Sequence, residues 1–197
     1  MNPTARQIPF AIFGGRSDQK KKEQYTFIHR LNVAWRMLDG HVRDDMRVLD
    51  VGDPSVFGVM LTSRFNNRHN TNPGDDFNFS MTTPGTNYDL VVCTEVLEHI
   101  MNPLQFMERI WLRTAKDGLV LLSTPLARRG FPSVYFHREH FTEYRKYQLL
   151  ELCRYAGFEV VRWRSYVFWD WKFALRGIRP ILRMLFMRGQ MVLLRRP

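Results

Sequence analysis

Glu95, Glu98 and His99 stand three and four residues apart, so a helix beginning near Glu95 would set two carboxylates and an imidazole on one side. Donors grouped in this way suit a divalent ion, with Mg2+ or Mn2+ preferred by the oxygen-rich set and Zn2+ as an alternative. A second imidazole, His140, lies in the run His137-Arg138-Glu139-His140-Phe141. Either His99 or His140 also suits general-base work on a hydroxyl, because an imidazole titrates near neutrality, and Glu98 is the acid beside them. A structural reading competes: acids are favoured at a helix N-terminus by its dipole, and a His beside a Glu often serves only as its hydrogen-bond partner.

These side chains need a scaffold, and the hydrophobic pattern supplies one. Arg47-Val48-Leu49-Asp50-Val51-Gly52 is a short apolar run ending in an acid and a glycine, which predicts a buried strand entering a turn. Tyr88-Asp89-Leu90-Val91-Val92-Cys93 predicts a second strand, and Val96, Ile100, Leu104, Met107 and Trp111 keep helical spacing over 95–115, around Pro103. After a turn at Lys116-Asp117-Gly118 come a strand over 119–123, a helix over 142–156 closed by Gly157, a strand over 158–163 and a last strand over 191–194. Upstream, Ile28, Leu31, Trp35 and Leu38 mark a helix face that stops at Asp39-Gly40. Order is expected from Glu23, with 1–22 a flexible segment and 23–197 one domain. Strands alternating with amphipathic helices imply βαβ units and a mainly parallel sheet covered on both faces.

The totals set limits. A chain of 197 residues suits one buried core, and Cys93 and Cys153 lie too far apart in sequence for a disulfide framework or a thiolate metal site. No apolar run reaches the length of a spanning helix and 1–16 lacks the apolar stretch of a secretion signal, so a cytoplasmic protein is expected. The charge is uneven: residues 162–197 carry nine basic side chains against Asp170 alone, which is +8 of the net +10. Within them, 166–189 interleaves Trp169, Trp171, Phe173 and Leu175 with Lys172, Arg176, Arg179 and Arg183. That pattern suits a peripheral contact with the cytoplasmic face of a membrane, or a lid that buries its aromatics. The basic surplus also leaves nucleic acid or a phosphorylated ligand open as the partner.

Val48-Leu49-Asp50-Val51-Gly52, the stretch from Tyr88 to His99 and the strand from Asp117-Gly118 to Pro125 together resemble the class I S-adenosylmethionine-dependent methyltransferases, in particular their type 11 group. The resemblance runs over about residues 47–163 and implies a Rossmann-like α/β fold with a C-terminal antiparallel hairpin, 166–189 being an insertion between its strands. It implies S-adenosylmethionine as cofactor at the carboxyl ends of the strands, where a glycine lets backbone approach a ligand. Asp50, Gly52, Asp53 and Gly58 are then expected at its amino-acid end, Asp75, Asp76 and Phe77 near adenine, and Thr94 and Glu95 at the exit of the strand that starts at Tyr88. Methyl transfer needs mainly an in-line approach, so positioning carries most of the catalysis. Glu98, His99 and His140 are expected on the acceptor side. The pattern Glu95-x-x-Glu98-His99, with His140 as a fourth ligand, also resembles the metal ligands of small-RNA 2′-O-methyltransferases and ubiquinone-pathway O-methyltransferases, where the ion activates the acceptor hydroxyl.

The departures are as informative. In this group the strand continues Asp-x-Gly-x-Gly-x-Gly, whereas here it reads Asp50-Val51-Gly52-Asp53-Pro54-Ser55-Val56-Phe57-Gly58, a degenerate loop with Pro and Val at two glycine positions. Proline fixes φ and removes an amide donor. Between Gly58 and Tyr88 there is no room for the usual two strands and two helices, so that region is expected to be reduced. The expected activity is O-methylation of a small-molecule, glycan or lipid-linked acceptor. The competing expectations are a non-catalytic module of the same fold serving a partner or membrane, and an RNA 2′-O-methyltransferase.

Overall fold

The computed structural model describes residues 17–53, 55–127, 140–167 and 188–197, side chains from residue 28 onward and not that of Val56. Pro54, most of the run before His140, residues 1–16 and residues 168–187 of the basic aromatic insertion lie outside the described residues.

The apolar runs become strands because both of their faces are covered. In β1 (Arg47–Val51), β3 (Tyr88–Thr94), β4 (Thr114–Pro125) and β6 (Arg188–Arg195), successive side chains point to opposite sides of one sheet. Val48, Leu90, Val92, Leu121 and Leu193 face α1 (Ser17–Leu38) and α2 (Val56–Thr62), packing on Ala34, Met37 and Leu61. Leu49, Val91, Cys93, Val120 and Leu122 face α3 (Pro103–Arg113) and α4 (Lys146–Tyr155), meeting Phe106, Ile110, Leu149 and Cys153. At roughly 1.5–3 kcal/mol per fully buried large apolar side chain, these two layers dominate the stability.

With β2 (Asn67–Asn70) and β5 (Glu159–Val167), the sheet has six strands in the order β2-β1-β3-β4-β6-β5. β2, β1, β3 and β4 are parallel, and β6 runs antiparallel between β4 and β5 as the closing hairpin. This is the Rossmann-like class I architecture expected from the sequence. The reduction falls where anticipated: among the described residues, β2 is the only strand between α2 and β3, and no helix follows it.

Several boundaries differ from expectation: the helix expected over 142–156 is Lys146–Tyr155, and the strands expected over 158–163 and 191–194 extend to Glu159–Val167 and Arg188–Arg195, into the ends of the expected insertion 166–189. α1 begins at Ser17 rather than Glu23, inside the segment set apart as flexible. The helix expected from Glu95 begins only at Pro103, because Asn102 caps it by accepting the Gln105 amide at 3.3 Å and proline fits the first helical turn. Between them Glu95 takes a left-handed backbone (φ 58°) and Leu97–His99 form one 3-10 turn. The expected turn at Lys116-Asp117-Gly118 lies inside β4, where Asp117 also has a left-handed φ of 60° and the pairing with β3 shifts register. No helix among the described residues is long and apolar enough to cross a membrane.

Candidate functional site

Parallel pairing brings Val51 and Cys93 level, so β1 and β3 end side by side and their following loops diverge around a cleft of about 680 Å3. Cofactor and substrate sites fall in this size range, and open α/β sheets place them at this edge. Asp50, Gly52 and Asp53 line the cleft from β1, Asp75, Asp76 and Phe77 from the loop after β2, and Thr94 and Glu95 from β3. Gly52 has a φ of 124°, open to glycine, and a Cβ there would lie 3.1 Å from Val96. Its amide is directed inward, donating to the Thr71 hydroxyl at 3.1 Å.

Gly58 was expected among the cofactor residues and is not on the cleft; it packs behind Asp50. A Cβ at Gly58 would sit 2.2 Å from the Asp50 carboxylate, so glycine in α2 is what lets that acid stand at the strand end. Burial pushes the Asp50 carboxyl up to about 6, while Arg68 and a hydrogen bond with Asn70 pull the other way. The three other acids of the cleft mouth already hold the loop: Asp53 accepts the Gly74 amide at 3.2 Å, Asp75 the Thr82 amide at 2.7 Å and Asp76 the Asn78 amide at 3.0 Å. Phe77 packs edge-on to Phe106, with ring centres 5.9 Å apart, and its carbonyl accepts from Arg109 at 3.0 Å. β2 ends at Asn70 and is followed by Thr71 and Asn72, so no carboxylate stands at the end of this strand.

Across the cleft, the left-handed backbone at Glu95 is held by its own amide, which donates to the Ser123 carbonyl at 2.9 Å. Its carboxylate accepts from the Ser123 hydroxyl at 2.8 Å and the Tyr166 hydroxyl at 3.3 Å and pairs with Arg30 at 3.4 Å. The pair is shielded, with side chains 17% and 26% exposed. Strained backbone over-determined by its surroundings is found at functional sites. Arg30, Ser123 and Tyr166 were missed in the sequence. The signal for Arg30 was a cation between Ile28 and Leu31 on the face turned to the domain.

The turn at Glu95 corrects the expected set of four ligands. Its carboxylate looks toward Arg30, whereas ligand atoms of Glu98, His99 and His140 lie within 4.8 Å of one another. The amides of Phe141 and Thr142 donate to the Glu98 carbonyl at 2.8 and 3.2 Å, which fastens the segment carrying His140 against the 3-10 turn. The two imidazoles meet edge to face with centres 4.8 Å apart, and His140 lies 3.7 Å from the Glu143 carboxylate. Glu98 is buried and accepts the Thr124 hydroxyl at 3.1 Å. Burial first, and then the neighbouring Glu95 charge, push its carboxyl well above the usual carboxylate range. His99 also lines the cleft, so the cluster and the cleft share a wall.

A doubly covered, mainly parallel sheet with a ligand-sized cleft at the carboxyl ends of the neighbouring strands β1 and β3 defines the doubly wound class of α/β protein. Within that class, residues 53–162, more than half of the chain, match a family described as a methyltransferase domain, and the chain belongs to this family. No curated protein matches it in sequence. Among solved structures it is similar to the 1,6-didemethyltoxoflavin-N1-methyltransferase of Burkholderia thailandensis, with bound 1,6-didemethyltoxoflavin and S-adenosylhomocysteine, at 15% identity over 88% of this chain and 81% of that one, with a TM-score of 0.63. It is also similar to the phosphoethanolamine N-methyltransferase 2 of Haemonchus contortus (14% identity, 84% and 52% covered, TM-score 0.61). A third likeness is an S-adenosylmethionine-dependent methyltransferase of Mesorhizobium loti (13% identity, 84% and 100% covered, TM-score 0.54). At these identities the three likenesses establish the fold.

Proposed function

We propose that the chain is an S-adenosylmethionine-dependent O-methyltransferase acting on a hydroxyl of a small-molecule, glycan or lipid-linked acceptor. The observation that carries this reading is the cluster of Glu98, His99 and His140 beside the cleft between the ends of β1 and β3, with His99 on the cleft wall itself. The cleft fits the cofactor by volume and by Asp50, which puts negative charge where a cationic group of the cofactor would lie, Glu95 being already balanced by Arg30. When bound, the cofactor supplies an electrophilic methyl group. Two bound S-adenosylhomocysteine molecules in proteins of the same fold support its use here.

On the acceptor side, His99 or His140 takes the hydroxyl proton, and the Glu143 carboxylate, 3.7 Å from His140, is placed to steady the charged imidazole. The same three groups would hold a divalent cation if one is used, and such an ion would lower the acceptor pKa. Glu95 belongs to the wall of the cleft in either case, tied to Arg30. The second reading, a non-catalytic module of this fold, is favoured by one feature: the Gly52 amide is already engaged by Thr71, and Pro54 stands at a position where the group has glycine.

Calorimetric titration with S-adenosylmethionine and S-adenosylhomocysteine separates the two readings. Saturable binding of both is expected; no binding by folded protein at millimolar ligand would leave the non-catalytic module standing. A thermal-shift series with Mg2+, Mn2+ and Zn2+, repeated on His140→Ala, tests the ion. The expected result is a shift in the wild type that the variant loses, and the ion is discarded if none shifts the wild type.

A further inference from the structure

A second hollow, of about 440 Å3, lies between α1 and the β5–β6 hairpin. His29 and Arg36 face it from α1, Arg162, Arg164 and Tyr166 from β5, and Arg188 from the start of β6. No carboxylate is among its described lining residues. Like charges gathered around one concavity repel unless an anion is shared between them. Arg162 has a use within the fold, donating to the Arg36 carbonyl at 2.7 Å. The other arginines have no such use among the described residues: the Nε of Arg188 is buried with no hydrogen-bond partner, and Arg36, Arg164 and Arg188 form no ion pair. A buried guanidinium N–H without an acceptor is a cost that a bound anion removes, and the planar fork of arginine matches phosphate oxygens in pairs.

The position of this hollow relates it to the methyl-transfer cleft. β5 ends and β6 begins at the edge where β4 finishes, with Val167 level with Arg188 and Gly189 with Pro125, so the basic residues cluster at the same end of the sheet as Gly52 and Glu95. Tyr166 lines the hollow and donates its hydroxyl to Glu95, which lines the cleft. On α1, His29 faces the hollow and the next residue, Arg30, faces the cleft. The two spaces therefore share one wall built from Arg30, Glu95 and Tyr166.

We propose that this hollow is the recognition site for a phosphate or diphosphate group carried by the methyl acceptor, a proposal that rests on the methyltransferase reading above. The acceptor class is then a phosphorylated alcohol, either a soluble ester or the headgroup end of a lipid. The described walls favour this over nucleic acid, because they hold no Phe or Trp and their one Tyr, Tyr166, is 4% exposed and offers no face for a base to stack on.

The test uses the full chain and inorganic pyrophosphate as probe, with S-adenosylhomocysteine titrated into the same preparation. Saturable pyrophosphate binding is expected, weakened about tenfold or more in Arg164→Gln/Arg188→Gln, with S-adenosylhomocysteine affinity changed less than about twofold. Arg164→Lys/Arg188→Lys is expected to recover part of the binding through charge alone, which separates ligand recognition from a folding defect. Flotation with phosphatidylcholine vesicles, with and without phosphatidic acid, distinguishes the sources. Flotation that depends on phosphatidic acid and on Arg164 and Arg188 supports a lipid headgroup; pyrophosphate binding without flotation supports a soluble ester.

Absence of both interactions, or pyrophosphate binding indifferent to Arg164 and Arg188, overturns the proposal. So does a short single-stranded RNA that displaces pyrophosphate and binds far more tightly, since the site would then belong to nucleic acid. Protein that binds S-adenosylhomocysteine and shows neither pyrophosphate binding nor phosphatidic-acid-dependent flotation loses this assignment and keeps the methyltransferase reading. The reverse pattern removes the methyltransferase reading, and with it the acceptor role of the anion site.

Discussion

Replacing Asp50 by asparagine should make the protein more stable and a poorer binder of its cofactor. Asp50 is 6% exposed at the end of β1, and burial raises its carboxyl from 3.8 to about 6. An acid whose folded-state pKa lies above its unfolded one favours the folded state fully below the unfolded value, and that advantage is lost as pH rises through the folded value. From the shift of about two units, keeping Asp50 ionised costs about 3 kcal/mol above pH 7. Asparagine has nearly the same shape and no charge. Asp50→Asn is therefore expected to exceed the wild type by about 3 kcal/mol at about pH 8 and by only about 1.5 kcal/mol at about pH 5. For a chain of 197 residues the larger figure corresponds to a rise in Tm of roughly 6–12 °C. Urea unfolding of both proteins across this pH range measures the difference, and titration with S-adenosylmethionine measures the accompanying loss of affinity. A gap that stays flat with pH, or a variant less stable than the wild type at about pH 8, would refute the electrostatic account of Asp50.

Other substitutions probe the remaining walls of the site. Glu95→Gln leaves Arg30 shielded without its counter-charge and should lower stability by about 2 kcal/mol in thermal unfolding, while Arg30→Met/Glu95→Gln recovers most of it; additive losses would mean the pair is not coupled. His140→Ala should fold normally and lower kcat by about 10²–10⁴-fold once an acceptor is in hand, whereas unchanged kcat would remove His140 from the acceptor side. Gly189→Ala puts a Cβ 2.2 Å from the Tyr166 ring and should shift that ring away from Glu95, seen as a changed environment for Tyr166 in NMR and as weaker pyrophosphate binding. An unperturbed Tyr166 in that variant would contradict the packing of the β5–β6 hairpin.

The strands were legible in the sequence because a sheet covered on both sides demands continuous apolar runs, and Val48–Val51, Leu90–Cys93 and Leu119–Leu122 meet that demand locally. The start of α3 was not. Val96 and Ile100 keep helical spacing with Leu104, yet Glu95 is turned left-handed by Ser123, Arg30 and Tyr166, partners supplied by other elements. The joint placement of Glu98, His99 and His140 was expected only from the resemblance to metal-dependent methyltransferases, and the separation of Glu95 from them was not expected. Gly58 was read as a ligand contact because glycine near a strand end serves that purpose; here it makes room for a neighbouring carboxylate. Of the cleft's acids, Asp53, Asp75 and Asp76 look alike in sequence to free ligands, and only the fold shows them occupied by loop amides.

A sheet shortened on one side is liable to stick to its own copies, since a border strand presents unpaired amides and carbonyls. Here the borders resist it. The outermost strand after the reduction, Asn67–Asn70, is four residues long and wholly polar, and the opposite border, β5, carries Glu159, Arg162 and Arg164. Short, charged borders are poor templates for a further strand. The protein can thus do without part of its sheet and still offer no good template for edge-to-edge pairing at its described borders.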